Sequence, residues 1–176
     1  MQLMITALEP TGIRLFERIL AGIQENACYV LESRMSRLAD GCACYFLVEG
    51  NWNHIARLES VLSGLQPQAH LFFNRVPDSA AEKKSGELLY VADLVVRDNY
   101  EVLNDVARFF TLQGVVLQDL RSSRYEVPYV DGSVCTIHLL LRIPEGISML
   151  SLRDEFLDFC EQMSVDAILE PIKPVY

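Results

Sequence analysis

Apolar residues in the first half of the chain follow two different periods, and each period predicts one kind of element. Spacings of three and four predict two helices, whose apolar residues are Ile13, Phe16, Ile19, Leu20 and Ile23, and then Trp52, Ile55, Leu58 and Leu62. Alternating or continuous apolar runs predict four strands, over residues 2–8, 28–36, 42–48 and 68–76. The predicted order is therefore strand, helix, strand, strand, helix, strand, or βαββαβ.

The second half of the chain repeats this order. Strands are predicted over residues 87–96, 115–122, 133–143 and 165–175, and helices from the stripes Val102, Val106, Phe109, Phe110 and Leu152, Phe156, Phe159, Met163. Gly114 stands where the first of these helices would end, and Ser151 and Asp154 have capping-box spacing at the second. The polar segment 77–86, bounded by proline and glycine, predicts a linker. The predicted domains are residues 1–76 and 87–176.

Two such units in one chain define the predicted fold class. A helix between two strands implies a right-handed crossover over one sheet face, and we expect both helices on the same face. The segment Val30-Leu31-Glu32 recurs as Val116-Leu117-Gln118 at the same place in the order of elements. The predicted fold is α+β, with two tandem ferredoxin-like βαββαβ domains and antiparallel sheets. Their exposed edge strands would allow a homodimer.

Charge, apolar runs and cysteine content limit the partners, the compartment and the metal binding that we expect. The formal net charge is −9, which disfavours direct binding to phosphate backbones. No apolar run reaches the roughly 18 residues of a membrane span, and the N-terminus has no basic region typical of a signal peptide. The five cysteines, an odd number, indicate reduced thiols in the cytoplasm. Cys42 and Cys44 share a strand face without a second ligand pair nearby, so we expect buried structural thiols and no metal.

The turn after the first strand is the main candidate binding site. It reads Glu9-Pro10-Thr11-Gly12-Ile13, where a glycine lets backbone N–H groups approach a ligand and a helix N-terminus favours a carboxylate. The residues alone favour the other interpretation, a plain tight turn that needs Gly12 for its geometry. The corresponding turn of the second half has no glycine, and its Asp98 and Glu101 predict a capping box. A small-molecule site is therefore expected in the first half.

Other polar residues have structural explanations. Glu32, Arg34 and Ser36 alternate on one face of the second strand, with Tyr29, Leu31 and Met35 on the other. That polar face could line an interface or ligand site, or be a solvated surface with ion pairs. His54, His70 and His138 are expected to be structural, and Trp52 to pack against the sheet. No nucleophile with an adjacent base stands out, so we predict neither an enzyme nor a cofactor.

Several segments carry a resemblance to a known family. They are Met4-Ile5-Thr6-Ala7-Leu8, Gly12-Ile13, Glu32-Ser33-Arg34, and Gly50-Asn51-Trp52-Asn53-His54-Ile55 with Glu59-Ser60. In this order they resemble the glycine cleavage system transcriptional repressors, bacterial proteins of two tandem ACT domains. The segment with Trp52 is the most specific, and the second half matches mainly in architecture and length.

The resemblance implies a non-catalytic, cytoplasmic regulator that responds to an amino acid, with glycine as the candidate, and antagonises a transcription factor of the LysR type. It implies an effector site at Glu9, Thr11, Gly12 and Ile13, with Glu32, Ser33 and Arg34 from the neighbouring strand. Two other functions remain open. One is an interaction scaffold that binds no effector. The other is an acylphosphatase-like hydrolase, for which Arg14 follows the turn but the loop is short for a phosphate cradle.

Overall fold

Each half of the chain forms a four-stranded antiparallel sheet with two helices. The computed structural model describes residues 1–10, 14–77, 88–97, 101–126 and 132–172. The chain divides into two units, Met1–Glu82 and Lys83–Tyr176, here called the first and second domains. Apart from Pro77, the predicted linker 77–86 lies outside the described residues.

The first domain contains six elements in the predicted order. They are β1 (Gln2–Glu9), α1 (Leu15–Glu25), β2 (Tyr29–Leu38), β3 (Gly41–Glu49), α2 (Trp52–Ser63) and β4 (His70–Val76). The order of strands across the sheet is β2-β3-β1-β4. Every neighbouring pair is antiparallel.

The second domain repeats the arrangement. Its elements are β5 (Leu88–Arg97), α3 (Val102–Leu112), β6 (Val116–Glu126), β7 (Ser133–Ile143), α4 (Met149–Gln162) and β8 (Asp166–Pro171). The order of strands is β6-β7-β5-β8, again antiparallel throughout. The predicted α+β class with two βαββαβ domains is confirmed. No helix among the described residues is long and apolar enough to span a membrane.

One face of each sheet carries the core. Along β1, Leu3, Ile5 and Ala7 are buried, and the residues between them are exposed. They pack in one cluster with apolar residues of both helices, namely Leu15, Ile19, Ile23, Ile55, Leu58 and Leu62. The second domain has an equivalent cluster, built from β5, β7, α3 and α4. Because residues of two helices share a cluster with one strand face, both helices cover that face, which we call the helix side. The opposite face is called the open side.

The second strand of each domain contains the same irregularity in its pairing with the third strand. The register shifts between Val30 and Glu32 in β2, and between Leu117 and Asp119 in β6. Glu32 is thus equivalent to Asp119, one residue beyond the match to Gln118 that the sequence indicated. Each acid is paired with the arginine two residues on, at 3.5 Å for Arg34 and 3.2 Å for Arg121. The shift also places Tyr29 on the open side with Glu32, where strict alternation predicts the opposite face.

Three details of the helices differ from the predictions. Leu20 is exposed, and Leu15 takes its place in the core. Trp52 does not pack beneath the sheet, since 63% of its surface is exposed. At α4 the N-cap is Ser148, whose hydroxyl accepts from the Ser151 N–H, so the predicted cap lies inside the helix.

The start of α3 differs from the one that the predicted capping box implied. Glu101 occupies the N-cap position and not the third helical residue, and its side chain makes no capping hydrogen bond. Its predicted partner Asp98 lies outside the described residues. The predicted end of the helix is confirmed, because Gly114 follows it with a φ of +75°.

Candidate ligand site at the end of the first strand

The last residue of β1, Glu9, has a buried carboxylate on the helix side of the sheet. Glu9 continues the alternation of Leu3, Ile5 and Ala7, so its side chain enters the first domain on the side of the core. It is 3% exposed and is the only buried polar or charged residue in the described part of the chain. Glu9 Oε2 accepts a hydrogen bond from the Leu15 N–H, at 3.2 Å. The carboxylate therefore lies at the N-terminus of α1, where free N–H groups and the helix dipole stabilise negative charge.

The second oxygen of this carboxylate has no donor among the described residues. Glu9 Oε1 is buried, and none of the described residues donates a hydrogen bond to it. A buried acceptor without a donor costs about 1–3 kcal/mol, and more when it is charged. A ligand that brought a cationic N–H group to Oε1 would recover that cost. One oxygen of Glu9 thus accepts a hydrogen bond from the helix N-terminus. The other oxygen can accept a hydrogen bond from the amine of a ligand.

Two thiols lie beside Glu9 on β3. Glu9 is paired with Cys42, and Ala7 with Cys44, so both cysteines are on the helix side. Burial, with smaller contributions from the nearby Cys42 and Glu9, raises the pKa of the Cys44 thiol to about 12. At neutral pH Cys44 is therefore an uncharged neighbour of the carboxylate. All five cysteines are free thiols.

The backbone is strained where the turn enters α1. Arg14 immediately precedes the helix with φ 27° and ψ 43°, in the left-handed region that non-glycine residues rarely adopt. Its side chain is exposed and pairs with Glu17 at 3.5 Å. The predicted site residues Thr11, Gly12 and Ile13 lie outside the described residues. Strain of this kind is concentrated at ligand sites, which agrees with a binding role for the turn.

The remaining predicted site residues divide between the two sheet faces. Glu32 and Arg34 are paired with Leu47 and Tyr45, which places them on the open side. Ser33 is on the helix side, opposite Phe46 and away from the end of β1. The structure therefore separates the Glu32–Arg34 ion pair from Glu9 by the thickness of the sheet.

Arg37 is not among the predicted site residues, but it lies in the same row of the sheet as Glu9. It is paired with Cys42, which is in turn paired with Glu9, so the three residues form one row across β2, β3 and β1 on the helix side. The arginine is exposed and makes no ion pair with any described residue. The bulge at Leu31 hid this placement, because it reverses the alternation from Glu32 onward.

The second domain carries the same row without the acid. Val96 is paired with Cys135, which is paired with Arg124. Val96 precedes the first residue of α3 by six positions, as Glu9 precedes Leu15, and it is buried. The equivalent row of the second domain therefore has an apolar residue where the first domain has a carboxylate.

Other polar clusters in the structure are better explained as contacts that stabilise the fold than as ligand sites. His54 Nδ1 lies 3.2 Å from the carbonyl oxygen of Ala27, and its Nε2 lies 3.2 Å from Asn51 Nδ2. Arg75 pairs with Glu59 through two hydrogen bonds and lies 6.0 Å from the ring of Trp52. His138 pairs with Asp93 at 2.5 Å on the open side of the second sheet. Among the described residues no group of His, Cys, Asp and Glu could hold a metal ion.

Comparisons with known proteins agree with this architecture. Residues 2–73 match the model of the ACT domain family. A crystal structure of an unknown protein from Galdieria sulphuraria is 15% identical, covers 98% of both chains and has a TM-score of 0.76. Another crystal structure, whose description as a glycine cleavage system transcriptional repressor is itself provisional, is 19% identical, covers 98% of both chains and has a TM-score of 0.69.

No curated protein matches the sequence. At these identities the two structures establish the fold, which extends over both domains. Residues 2–73 match the ACT domain family model, and the chain as a whole has a tandem ACT-like fold.

Proposed function

We propose that this protein is a non-catalytic regulator that binds a small amino acid, with glycine as the first candidate, at Glu9 of the first domain. The observation that carries the proposal is the buried Glu9 Oε1, which lacks a donor among the described residues. An ammonium group supplies such a donor together with the opposite charge, and charge-assisted hydrogen bonds are the stronger kind. Thr11, Gly12 and Ile13 follow Glu9 in the chain and complete the proposed site. Glu32, Ser33 and Arg34 are left outside it because of their positions in the sheet.

The proposed regulator acts by contacting a transcription factor of the LysR type. Direct contact with DNA is disfavoured, because a chain with a net charge of −9 repels phosphates. The provisional description of a structural relative as a transcriptional repressor supports a regulatory role. The free thiols support a reducing compartment, and we place the protein in the cytoplasm. The edge strands β2, β4, β6 and β8 would allow a homodimer.

Calorimetric titration of the whole chain tests the sensing half of the proposal. Glycine, alanine and serine are titrated to millimolar concentration into the wild type, Glu9→Gln and Glu17→Gln. Glu17 is the matched control, because it is an exposed carboxylate near the start of the same helix. We expect wild type and Glu17→Gln to bind at least one of the three with equal affinity, and Glu9→Gln to bind at least tenfold more weakly. Absence of heat with all three amino acids would reject the proposal.

An effector-free scaffold is the second candidate function, favoured by the apolar Val96 in the second domain. The two functions differ in what an amino acid does to the partner. Co-purification with a LysR-type activator, with and without the bound amino acid, separates them. A regulator should show a change in the amount of bound activator, whereas equal recovery under both conditions supports the scaffold.

A further inference from the structure

We propose that Arg37 binds the carboxylate of the same ligand, so that the site takes a free, zwitterionic α-amino acid and discriminates against simple amines. This inference rests on the proposed function, since it assumes that Glu9 binds the ammonium group. It adds a second charged contact and defines the chemical class of the ligand by both of its ends.

The first argument is position. Glu9, Cys42 and Arg37 lie in one register row on the helix side, on three neighbouring strands. Neighbouring strands are about 4.8 Å apart, so the backbones of Glu9 and Arg37 are separated by roughly 10 Å. Both side chains leave the sheet on the same side. A small molecule with a positive and a negative end can therefore lie between them, above Cys42.

The second argument is charge. Other arginines of the first sheet have an acid nearby, as Arg34 has Glu32 and Arg75 has Glu59. Arg37 makes no ion pair with a described residue and is exposed. A guanidinium group binds a carboxylate through two parallel hydrogen bonds, which fix its orientation as well as its charge. Arg37 can therefore donate two hydrogen bonds to the carboxylate of a ligand whose amine is bound by Glu9.

The third argument is the size of the residue between the two charges. Cys42 is the only residue of the row between Glu9 and Arg37, and it is small and half-buried. A side chain as short as that of cysteine obstructs a ligand in this row less than a leucine would. It follows that enlarging residue 42 should exclude the ligand without removing either charge.

Comparison with the equivalent row of the second domain shows which residue of the Glu9–Cys42–Arg37 row is not shared by the two domains. It retains Arg124 and Cys135 but has Val96 in place of the acid. An arginine and a cysteine at these positions therefore belong to the shared architecture, and the acid is present in the first domain alone. We expect one ligand per chain.

The test uses ligands that lack one charge. Glycine, glycinamide (without the carboxylate) and acetate (without the amine) are titrated into the wild type, Arg37→Gln and Arg34→Gln. Arg34 is the matched control, because it is an arginine of the same strand on the open side. We expect Arg37→Gln to weaken glycine binding at least tenfold and to leave glycinamide binding unchanged. Arg34→Gln should bind both like the wild type, and Cys42→Leu should bind neither.

The outcomes separate this inference from the proposed function. If glycine binds the wild type and depends on Glu9 but not on Arg37, the inference is wrong and the proposed function stands. If glycine, alanine and serine all fail to bind the wild type, both are wrong. If Arg37→Gln weakens glycinamide as much as glycine, the arginine does not contact the carboxylate, and the inference is again wrong. Thermal unfolding of Arg37→Gln checks that the variant is folded, which we expect for a substitution at an exposed residue.

Discussion

Glu9 and Val96 occupy the same position in the two domains. Each lies on the helix side of its first strand, opposite a cysteine and six residues before the first helix begins. Both are buried, but only one carries charge. The fold is therefore built around this position with either an apolar side chain or a carboxylate, and the acid is not required for the architecture.

The first prediction follows from this equivalence. We expect Glu9→Val to be at least as stable as the wild type, because it removes a buried oxygen that has no donor among the described residues. Such an oxygen costs about 1–3 kcal/mol. Loss of the contact with the helix N-terminus, worth about 0.3–1 kcal/mol, offsets part of that gain. The net expectation is a rise of about 1 kcal/mol in the free energy of unfolding, measured by urea denaturation, together with loss of amino-acid binding.

Glu9→Ala is the control for this substitution. It also removes the carboxylate but leaves space unfilled, so it should be less stable than Glu9→Val by about 1 kcal/mol or more. If Glu9→Val is instead more than about 2 kcal/mol less stable than the wild type, Glu9 is chiefly a structural cap.

The second prediction concerns the ends of helices. Ala27 and Gly114 follow α1 and α3 with positive φ, 51° and 75°. The residue after each donates its N–H to a carbonyl of the last helical turn, from Cys28 to Ile23 and from Val115 to Phe110, both at 3.0 Å. This is the Schellman arrangement, in which glycine avoids the clash of a Cβ atom. Alanine in the left-handed region costs about 1–2 kcal/mol.

We therefore expect Ala27→Gly to stabilise the first domain by up to about 1 kcal/mol, after the extra entropy of glycine in the unfolded chain is subtracted. The matched change, Gly114→Ala, should destabilise the second domain by about 1 kcal/mol. No heavy atom lies within 4 Å of a Cβ added at Gly114, so that effect isolates the backbone. Urea denaturation measures both. Equal and near-zero shifts would show that the two turns tolerate either residue.

Periodicity in the sequence predicted nearly all of the fold. The order of elements, the strands of both sheets and the buried stripes at Ile55, Leu58 and Leu62 depend on many residues at once, so single exceptions do not disturb them. Errors arose where one residue decides a local feature. Trp52 begins its helix on the surface and lies near Arg75, a contact with a residue far along the chain that no local pattern contains.

The candidate site was predictable only in part. Glu9 could be named because it ends a strand before a helix, but its burial depends on the pairing of β1 with β3. Arg37 could not be named, because the register shift at Leu31 changes which face each later residue of β2 occupies. A single extra residue in one strand was enough to divide the predicted site between two faces.

The third prediction concerns His54, which links two parts of the first domain. Its backbone N–H donates to Asn51 Oδ1 at 2.8 Å, and its ring lies within 3.2 Å of both Asn51 Nδ2 and the Ala27 carbonyl oxygen. His54→Ala keeps the backbone bond and removes both ring contacts. We expect a loss of about 1 kcal/mol in the free energy of unfolding, a typical net value for exposed hydrogen bonds.

His70→Ala is the matched control for His54. His70 is exposed at the start of β4 and should change the free energy of unfolding by less than about 0.5 kcal/mol. Urea denaturation of both variants at one pH makes the comparison. If His54→Ala is as stable as His70→Ala, the ring contacts between α2 and the turn after α1 contribute nothing.

The fourth prediction concerns stability at alkaline pH. Burial raises the pKa of Cys44 to about 12 and that of Cys160 to about 11, from an ordinary value of 9.0. Above pH 9 these thiols lose their protons in the unfolded chain but keep them in the folded one. The unfolded state then binds fewer protons, so stability is fully present below pH 9 and falls as pH rises toward 11 and 12.

We expect Cys44→Ala to be less stable than the wild type at pH 7.5, because it leaves a small cavity, and to lose less stability than the wild type between pH 9 and pH 10.5. Cys135→Ala, at a half-buried thiol of the second domain, is the control. Urea midpoints at pH 7.5, 9 and 10.5 measure the three proteins. Tyrosine and lysine titrations are common to all of them and cancel in the comparison. If Cys44→Ala and the wild type lose stability in parallel, Cys44 is not held in its neutral form by the core.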